Sequence, residues 1–431
     1  MNLLITNTQE EQPYLILRSL VEEADRVVVT ISGDSLFQRW AGMSQWSRFV
    51  SKRYRVPDCA ADWRSGLIQP ENTPAEARYI QRIEEICKAE AIDVIFPSYD
   101  AEVYVFAKNK ERLAAQGIVA VVQDYESLTS ILDKSLTLAA AEKVGFPIPR
   151  TFVPADREAL AAVMEQSDPP WVLKPRLNAH GVNIVFASDQ EELASAFRKL
   201  SQAQARPIVQ EYVPSTTKRN FYLVVNRDSE IVSLFSPEVQ RTRKVGVVKP
   251  CAAVISTTEI PFVDKVQALL RELGVWGTMT LQTVIDDRDG TPKLMEINPR
   301  VGHNLWYRTV LGLNEPLIAV RLARGQDPGQ LPAFREGVLL LDPLWDFLHL
   351  LGQVVDQSFA RIRALFRGAE QDSGALEKES IRELLRDYRA EYFTRRPRVT
   401  SPLNRDLLTD PLPPIVRIIK TVAEALIRRA R

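Results

Sequence analysis

A polar pattern set into a hairpin constrains this chain most. Thr278-Met279-Thr280-Leu281-Gln282-Thr283-Val284-Ile285-Asp286 is one extended run, and Glu296-Ile297-Asn298-Pro299-Arg300 closes a second. Asp287-Arg288-Asp289-Gly290 between them is a turn signal, so the pattern predicts two antiparallel strands. Residues two apart in a strand share a face. Glu296 and Asn298 therefore point the same way, and pairing brings Gln282 beside them. One carboxylate and two amides are hard oxygen ligands. They suit Mg²⁺, which takes few protein oxygens and completes its shell with substrate phosphates. Arg300 adds a cation next to them. The competing reading is an ordinary hairpin with polar residues facing water, because short motifs recur by chance.

Three upstream segments weigh against chance. Asp133-Lys134 opens a helical stretch carrying Leu136, Ala139, Ala140 and Val144, and Gly145 is a natural stop before Phe146-Pro147-Ile148-Pro149. Trp171-Val172-Leu173-Lys174-Pro175 is a short strand with a lysine near its end, and Ile208-Val209-Gln210-Glu211-Tyr212-Val213 is another, ending in a polar-aromatic step.

In this order the elements resemble the ATP-grasp superfamily, in particular its carboxylate–amine ligases and its carbamoyl-phosphate-synthetase-like branch. The resemblance covers roughly residues 1–330, and its motifs are specific in combination. It implies an α/β and α+β chain in three parts. A Rossmann-like pre-ATP-grasp domain spans 1–125, a two-lobed ATP-grasp domain 126–330, and a mostly helical extension 331–431. It also implies roles. Lys134 and Lys174 contact ATP phosphates, with Lys174 also near the adenine; Glu211 to Val213 is the hinge whose backbone reads the adenine edge, with Gln210 also in the nucleotide site; Gln282, Glu296 and Asn298 hold Mg²⁺, with Mn²⁺ as the other ion; and Arg300 steadies the transferred phosphoryl group. The implied activity is an ATP-dependent ligase. It phosphorylates a carboxylate to an acyl phosphate, couples it to an amine, and releases ADP and phosphate. Such chemistry needs positioning, charge neutralisation and exclusion of water.

The chain departs from the family pattern in three places. The segment after Lys174-Pro175 reads Arg176-Leu177-Asn178-Ala179-His180-Gly181-Val182-Asn183, with one glycine where the family's phosphate-covering loop has several. His180 is the residue there that faces the phosphates, while Gly181 and Asn178 or Asn183 take left-handed turns. Lys218-Arg219-Asn220 stands where a ribose-binding glutamate is common, which makes Asn220 the ribose contact. Gln282 replaces the commoner metal-binding glutamate.

Two further segments add candidate residues. Gln240-Arg241-Thr242-Arg243-Lys244-Val245-Gly246 reads as a basic loop, and three cations in four residues repel one another unless an anion visits. Arg243 is the leading candidate to meet phosphate or the acceptor carboxylate, with Arg241 second. His303 reads either as a substrate or proton-transfer residue or as a cap of the next helix.

Residues 1–125 alternate apolar strands (Leu3-Ile5, Val27-Ile31, Val94-Pro97, Val119-Val121) with helices over Tyr14-Glu23 and Ala75-Glu90, as in a parallel sheet. Ser98-Tyr99-Asp100 falls at a carboxyl end of that sheet, where ligands often bind. A capping role for Asp100 in the following helix is preferred here. The cluster Arg39, Trp40, Trp46, Arg48 and Phe49 reads as packing.

With 55 basic and 55 acidic residues the chain is formally neutral, so nothing in it attracts nucleic acid. Cys59, Cys87 and Cys251 are too few and too scattered for a disulfide framework or a zinc site, and fit a reducing cytoplasm. The start lacks the basic n-region of a signal peptide. Leu344 to Phe366 is an apolar helix candidate but not a membrane span, since Asp342 stands just before it and Asp346 within its most apolar part. Glu370 to Glu391 is charged and reads as solvated. From Arg395 to Arg431 there are nine basic and three acidic residues, a local charge of +6, and Ile415, Ile418, Ile419, Val422 and Leu426 share a helical face. Such a tail docks on the protein's own surface, makes a homodimer, or lies peripherally on anionic lipid. Small-molecule carboxylate and amine substrates are the expected partners. Two alternative functions remain at this stage: a membrane-surface enzyme acting on a lipid or wall precursor, and a non-catalytic nucleotide-binding regulator.

Overall fold

The computed structural model describes residues 1–8, 11–32, 40, 42–59, 68–177, 183–203, 206–242, 251–256, 260–302, 304–329, 331, 333–342, 386, 398–400, 406 and 408–420. The chain forms two compact units. One comprises Met1–Pro237, Thr258–Phe334 and Pro402–Arg431, and the other Glu238–Thr257 and Arg335–Ser401.

The first unit begins with a parallel sheet of β1 (Asn2–Ile5), β2 (Arg26–Ile31), β3 (Lys52–Arg55), β4 (Val94–Phe96) and β5 (Val119–Ala120), in the order β3-β2-β1-β4-β5. Leu3, Leu4, Ile5, Val28 and Val29 are fully buried, as near-continuous apolar strands of a parallel sheet require. The connecting helices are α1 (Glu11–Leu20), α2 (Pro74–Glu90), α3 (Asp100–Lys108) and α4 (Lys110–Ala114). A capping box starts α2: the Thr73 hydroxyl accepts from the Glu76 amide, the Glu76 carboxylate accepts from the Thr73 amide, and Pro74 opens the helix. The edge strand β3 is absent from the sequence expectation. Its Lys-Arg-Tyr-Arg composition conceals it, since charge is how exposed sheet edges avoid pairing with other chains.

Two antiparallel sheets follow. Helices α5 (Tyr125–Leu132) and α6 (Lys134–Lys143) lead into the smaller lobe. There β6 (Thr151–Phe152), β7 (Trp171–Lys174), β8 (Val185–Ala187) and β9 (Ile208–Glu211) lie in the order β6-β9-β7-β8. Trp171, Leu173 and Val209 on one face pack against Leu160 and Val163 of α7 (Arg157–Gln166) and Leu193, Phe197 and Leu200 of α8 (Gln190–Ala203). The larger sheet has β10 (Lys218–Val225), β11 (Ile231–Phe235), β14 (Gly277–Ile285) and β15 (Pro292–Asn298), in the order β11-β10-β14-β15. One face, with Phe221, Leu223, Met279, Leu281 and Ile297, shares a core with Leu138 and Phe146 and with Leu269 and Leu270 of α9 (Val263–Leu273). Helices α10 (Leu305–Val310) and α11 (Glu315–Ala323) complete the region.

The second unit holds β12 (Glu238–Thr242), β13 (Cys251–Ile255), β16 (Leu339–Leu341) and β17 (Arg398–Thr400), in that order, with β16 and β17 parallel. Gln240, Arg241 and Thr242 thus lie in a strand, where the sequence suggested a loop. The expected helix over 344–366 and the charged stretch over 370–391 lie outside the described residues, apart from Arg386.

The tail's first helical segment, residues 412–420, docks on the first unit. Asp410 accepts from Ser47 Oγ at 2.5 Å, the Arg48 amide at 3.0 Å and Tyr14 Oη at 3.3 Å, while Arg417 pairs with Glu11 at 2.8 Å. Val416 and Arg417 are each 5% exposed, whereas Leu412, Ile415 and Ile419 are 50%, 41% and 44% exposed. The inward face of the helix is therefore Pro413, Pro414, Val416 and Arg417, and not the isoleucine stripe. No helix among the described residues is long and apolar enough to cross a membrane.

Candidate active site

Register assembles the first half of the site. Asn220 of β10 pairs with Gln282 of β14, which pairs with Glu296 of β15; one step along the same face, Tyr222, Thr280 and Asn298 form a second row. Cross-strand partners share a face, so the alternate residues that fill the core leave these six on the opposite side. A bulge after Gln282 shifts the pairing only beyond the site. The turn expected over Asp287 to Gly290 closes the hairpin, with the Gly290 amide donating to the Asp286 carbonyl at 2.7 Å and Gly290 at φ 72°. Asn298 Nδ2 donates to Glu296 Oε1 at 3.4 Å, which frees the Asn298 carbonyl oxygen for a cation. Asn220 Oδ1 and Thr280 Oγ1 are buried without a hydrogen-bond partner. Among the described residues no group of three or more His, Cys, Asp or Glu gathers. The donor set is thus one carboxylate with amides, which fits Mg²⁺ sharing its shell with phosphates.

Two lysines supply the opposing charge. Lys134 starts α6, whose N-terminus is capped by the Asp133 carboxylate accepting from the Ser135 amide at 2.9 Å. Gly145, at φ 69°, ends the helix: the Gly145 amide donates to the Glu142 carbonyl and the Phe146 amide to Ala141, a Schellman motif that drops Phe146 into the core. Lys134 Nζ lies 3.5 Å from Glu296 Oε2. Lys174 ends β7 opposite Ile208, on the sheet face shared with Gln210, whose Nε2 donates to Thr151 Oγ1 at 2.8 Å. Lys174 is 6% exposed. Burial pushes its ammonium down to about 8, the Glu296 carboxylate partly opposes that shift, and the Lys134 and Lys218 charges add to it. Lys218 is a contributor that the sequence reading named only as a departure. Two residues from Asn220 on the same strand, it brings a third cation toward Lys174.

Glu211 and Tyr212 divide their duties. The Glu211 amide donates to the Arg150 carbonyl and the Tyr212 amide to Pro170. The Glu211 carboxylate binds Lys293 at 2.7 Å and Arg288 at 3.4 Å, and Asp286 binds both of those cations. The lysine and arginine beside Glu211 hold its carboxyl below the usual range, although partial burial works against them. Tyr212 meets Phe186 edge-on at 6.1 Å, and both rings are largely exposed. Asn183, which precedes β8, adopts φ 60°.

Arg300 follows β15, its amide donating to the Asn298 carbonyl at 2.9 Å. Its side chain is 9% exposed and is held by Asp100: Nε to Oδ1 at 2.6 Å and Nη2 to Oδ2 at 3.2 Å. This corrects the capping reading of Asp100, since Tyr99 is the N-cap of α3 and makes no side-chain cap. Asp100 and Gln12, which reaches Arg300 Nη1, are the residues the sequence reading missed; they lie 200 and 288 positions away. Arg243, His180 and His303 lie outside the described residues.

The family profile for the ATP-grasp domain matches residues 131–303, and that for the PylC-like N-terminal domain matches 72–122. The chain is 21% identical to a D-aspartate ligase of Enterococcus faecium over 50% of its own length and 55% of the ligase. It is 25% identical to the carbamoyl phosphate synthase large chain of Archaeoglobus fulgidus over 50% of its length and 21% of that protein. The chain thus spans about half or less of the curated relatives it matches. Its fold is similar to the biotin carboxylase domain of Hydrogenobacter thermophilus 2-oxoglutarate carboxylase, with a TM-score of 0.59 and 14% identity over 78% of this chain and 73% of that one. Strand register, lobe topology and these matches agree: the chain carries an ATP-grasp domain over residues 131–303, behind a segment, residues 72–122, that matches the PylC-like N-terminal domain.

Proposed function

We propose that this chain is an ATP-dependent ligase that activates a carboxylate as an acyl phosphate and joins it to an amine, releasing ADP and phosphate. The observation that carries this reading is the face on which Asn220, Gln282, Glu296, Thr280 and Asn298 align, with Lys134 and Lys174 brought toward Glu296. Oxygen donors for a cation and ammonium groups for phosphates stand together, as phosphoryl transfer needs. D-aspartate ligase supports an amino acid as carboxylate substrate, and the ADP- and MgADP-bound biotin carboxylase domain supports ATP and Mg²⁺.

Each residue then has a task. Gln282, Glu296 and Asn298 would hold Mg²⁺ (Mn²⁺ takes the same oxygen ligands), which when bound neutralises phosphate charge. Lys174 and Lys134 bind phosphate oxygens. Because burial disfavours the Lys174 charge, an arriving phosphate raises its proton affinity and fixes the proton on Nζ. With the Glu211 and Tyr212 amides already used, the Val213 amide is the one that reads the adenine edge. Asn220 Oδ1 accepts from a ribose hydroxyl, Arg300 steadies the transferred phosphoryl group, and Arg243 and His180, outside the described residues, are assigned to the anions on the sequence pattern alone. The buried cysteines Cys59 and Cys87 support a reducing cytoplasm as the site of action. The exposed row of Leu412, Ile415 and Ile419 supports a second reading for the tail alone, peripheral contact with an anionic membrane. ADP release from MgATP, screened across pooled amino acids, tests the main reading. Release that depends on an amino acid supports it, and none across the pool counts against it.

A further inference from the structure

We propose that Asp100 is a positioning residue for Arg300, with Gln12 as second support, so that the ligand-facing edge of the N-terminal sheet serves the phosphoryl-transfer site. The proposal rests on the preceding reading, in which Arg300 meets the transferred group.

The strand order places the switch point of the parallel sheet between β1 and β4, because the chain leaves β1 toward β2 on one side and returns through β4 on the other. Ligands of open α/β sheets bind outside the carboxyl ends of the strands at that point. Here Ser98 Oγ ties the two strand ends together by donating to the Thr6 carbonyl at 2.9 Å. Asp100 comes two residues later, 3% exposed, and its carboxylate engages Arg300 fork to fork. Gln12, fully buried on α1, accepts from Arg300 Nη1 at 3.4 Å and donates to the Val301 carbonyl. All three guanidinium nitrogens are thereby addressed by two helices of the N-terminal sheet. A bidentate carboxylate fixes the plane of the guanidinium as well as its position. A buried ion pair is weak evidence for stability, because apolar side chains would pack there as well. A cation aimed in advance at developing phosphoryl charge gives the pair a reason to be kept.

The test uses the full chain and ADP release from MgATP with pooled amino acids. It compares wild type with D100N, D100E, Q12A, R300A and D100N/R300A, alongside MgADP affinity and melting temperature. Misplacing a group by about 1 Å costs on the order of 100-fold. D100N should therefore lower kcat by about that factor, with KM for ATP and MgADP affinity within about 2-fold. In the R300A background the same change should cost nothing further. D100N that melts earlier yet keeps wild-type kcat below its melting temperature would make Asp100 a structural residue and overturn the proposal. So would an equal loss with and without Arg300. If D100N does not fold, Q12A and D100E decide, since both leave a carboxylate beside Arg300: reduced kcat at unchanged KM supports positioning, and wild-type kcat in both overturns it. Wild type that binds MgADP but releases no ADP defeats the ligase reading itself, and that outcome is separable from every variant result.

Discussion

Lys174→Met should stabilise the protein while removing its nucleotide binding. Lys174 is 6% exposed, and burial lowers its ammonium from the ordinary 10.5 to about 8, with Glu296 opposing and Lys134 and Lys218 reinforcing the shift. That difference corresponds to about 3 kcal/mol of disfavoured charge. The sign follows from proton counts. Between about pH 8 and 10.5 the unfolded chain holds the proton more tightly than the folded one, so stability rises with pH across that window. Below it the whole burden is present. Methionine fills a similar volume without a charge, so at pH 7 the variant gains up to about 3 kcal/mol, less whatever attraction to Glu296 is lost. Denaturant unfolding at pH 7 and pH 10, with and without MgATP, checks this. The variant should be more stable at pH 7, the gap should shrink at pH 10, and MgATP should protect only the wild type. A variant less stable at pH 7, or a gap independent of pH, would refute the reasoning.

Other outcomes follow from the same geometry. Glu296→Gln should leave the melting temperature near wild type while abolishing Mg²⁺-dependent ATP turnover, since it removes the one carboxylate of the proposed Gln282, Glu296 and Asn298 donor set; unchanged metal dependence in a titration would remove Glu296 from the site. Gly302→Ala would place a Cβ 2.8 Å from Thr280 Oγ1 and 2.9 Å from the Tyr222 ring, so it should cost about 1–3 kcal/mol in chemical denaturation. Deleting residues 406–431 removes the Asp410 and Arg417 contacts and should lower the melting temperature. Co-sedimentation of the intact chain with anionic and neutral vesicles at low and high salt tests the tail separately. Salt-sensitive binding to anionic vesicles alone supports membrane contact, and binding to neither leaves the tail a docking element.

What the sequence disclosed, it disclosed through local period. The alternation around Phe221, Leu281 and Ile297 already separates core from site on three strands, and the turn at Gly290 sets the register that aligns Gln282 with Glu296. What it concealed depends on long-range pairing. Nothing near Asp100 distinguishes a helix-starting aspartate from one that holds an arginine 200 residues away. The Glu211 carboxylate is similarly ambiguous until Lys293 and Arg288 arrive on the hairpin tip. In the tail, helical periodicity picked out Ile415 and Ile419, yet the inward positions are Pro413, Pro414, Val416 and Arg417, the last paired with Glu11. Periodicity counts apolar side chains and cannot register a buried charge pair.

The central claim, carboxylate activation by ATP, is tested most directly by hydroxylamine trapping. The enzyme is incubated with MgATP, hydroxylamine and the amino-acid pool, and both the nucleotide and any hydroxamate are identified by mass. The account predicts an enzyme-dependent hydroxamate together with ADP and phosphate, because hydroxylamine intercepts an acyl phosphate in place of the amine. AMP and pyrophosphate would contradict it, since they require an adenylate.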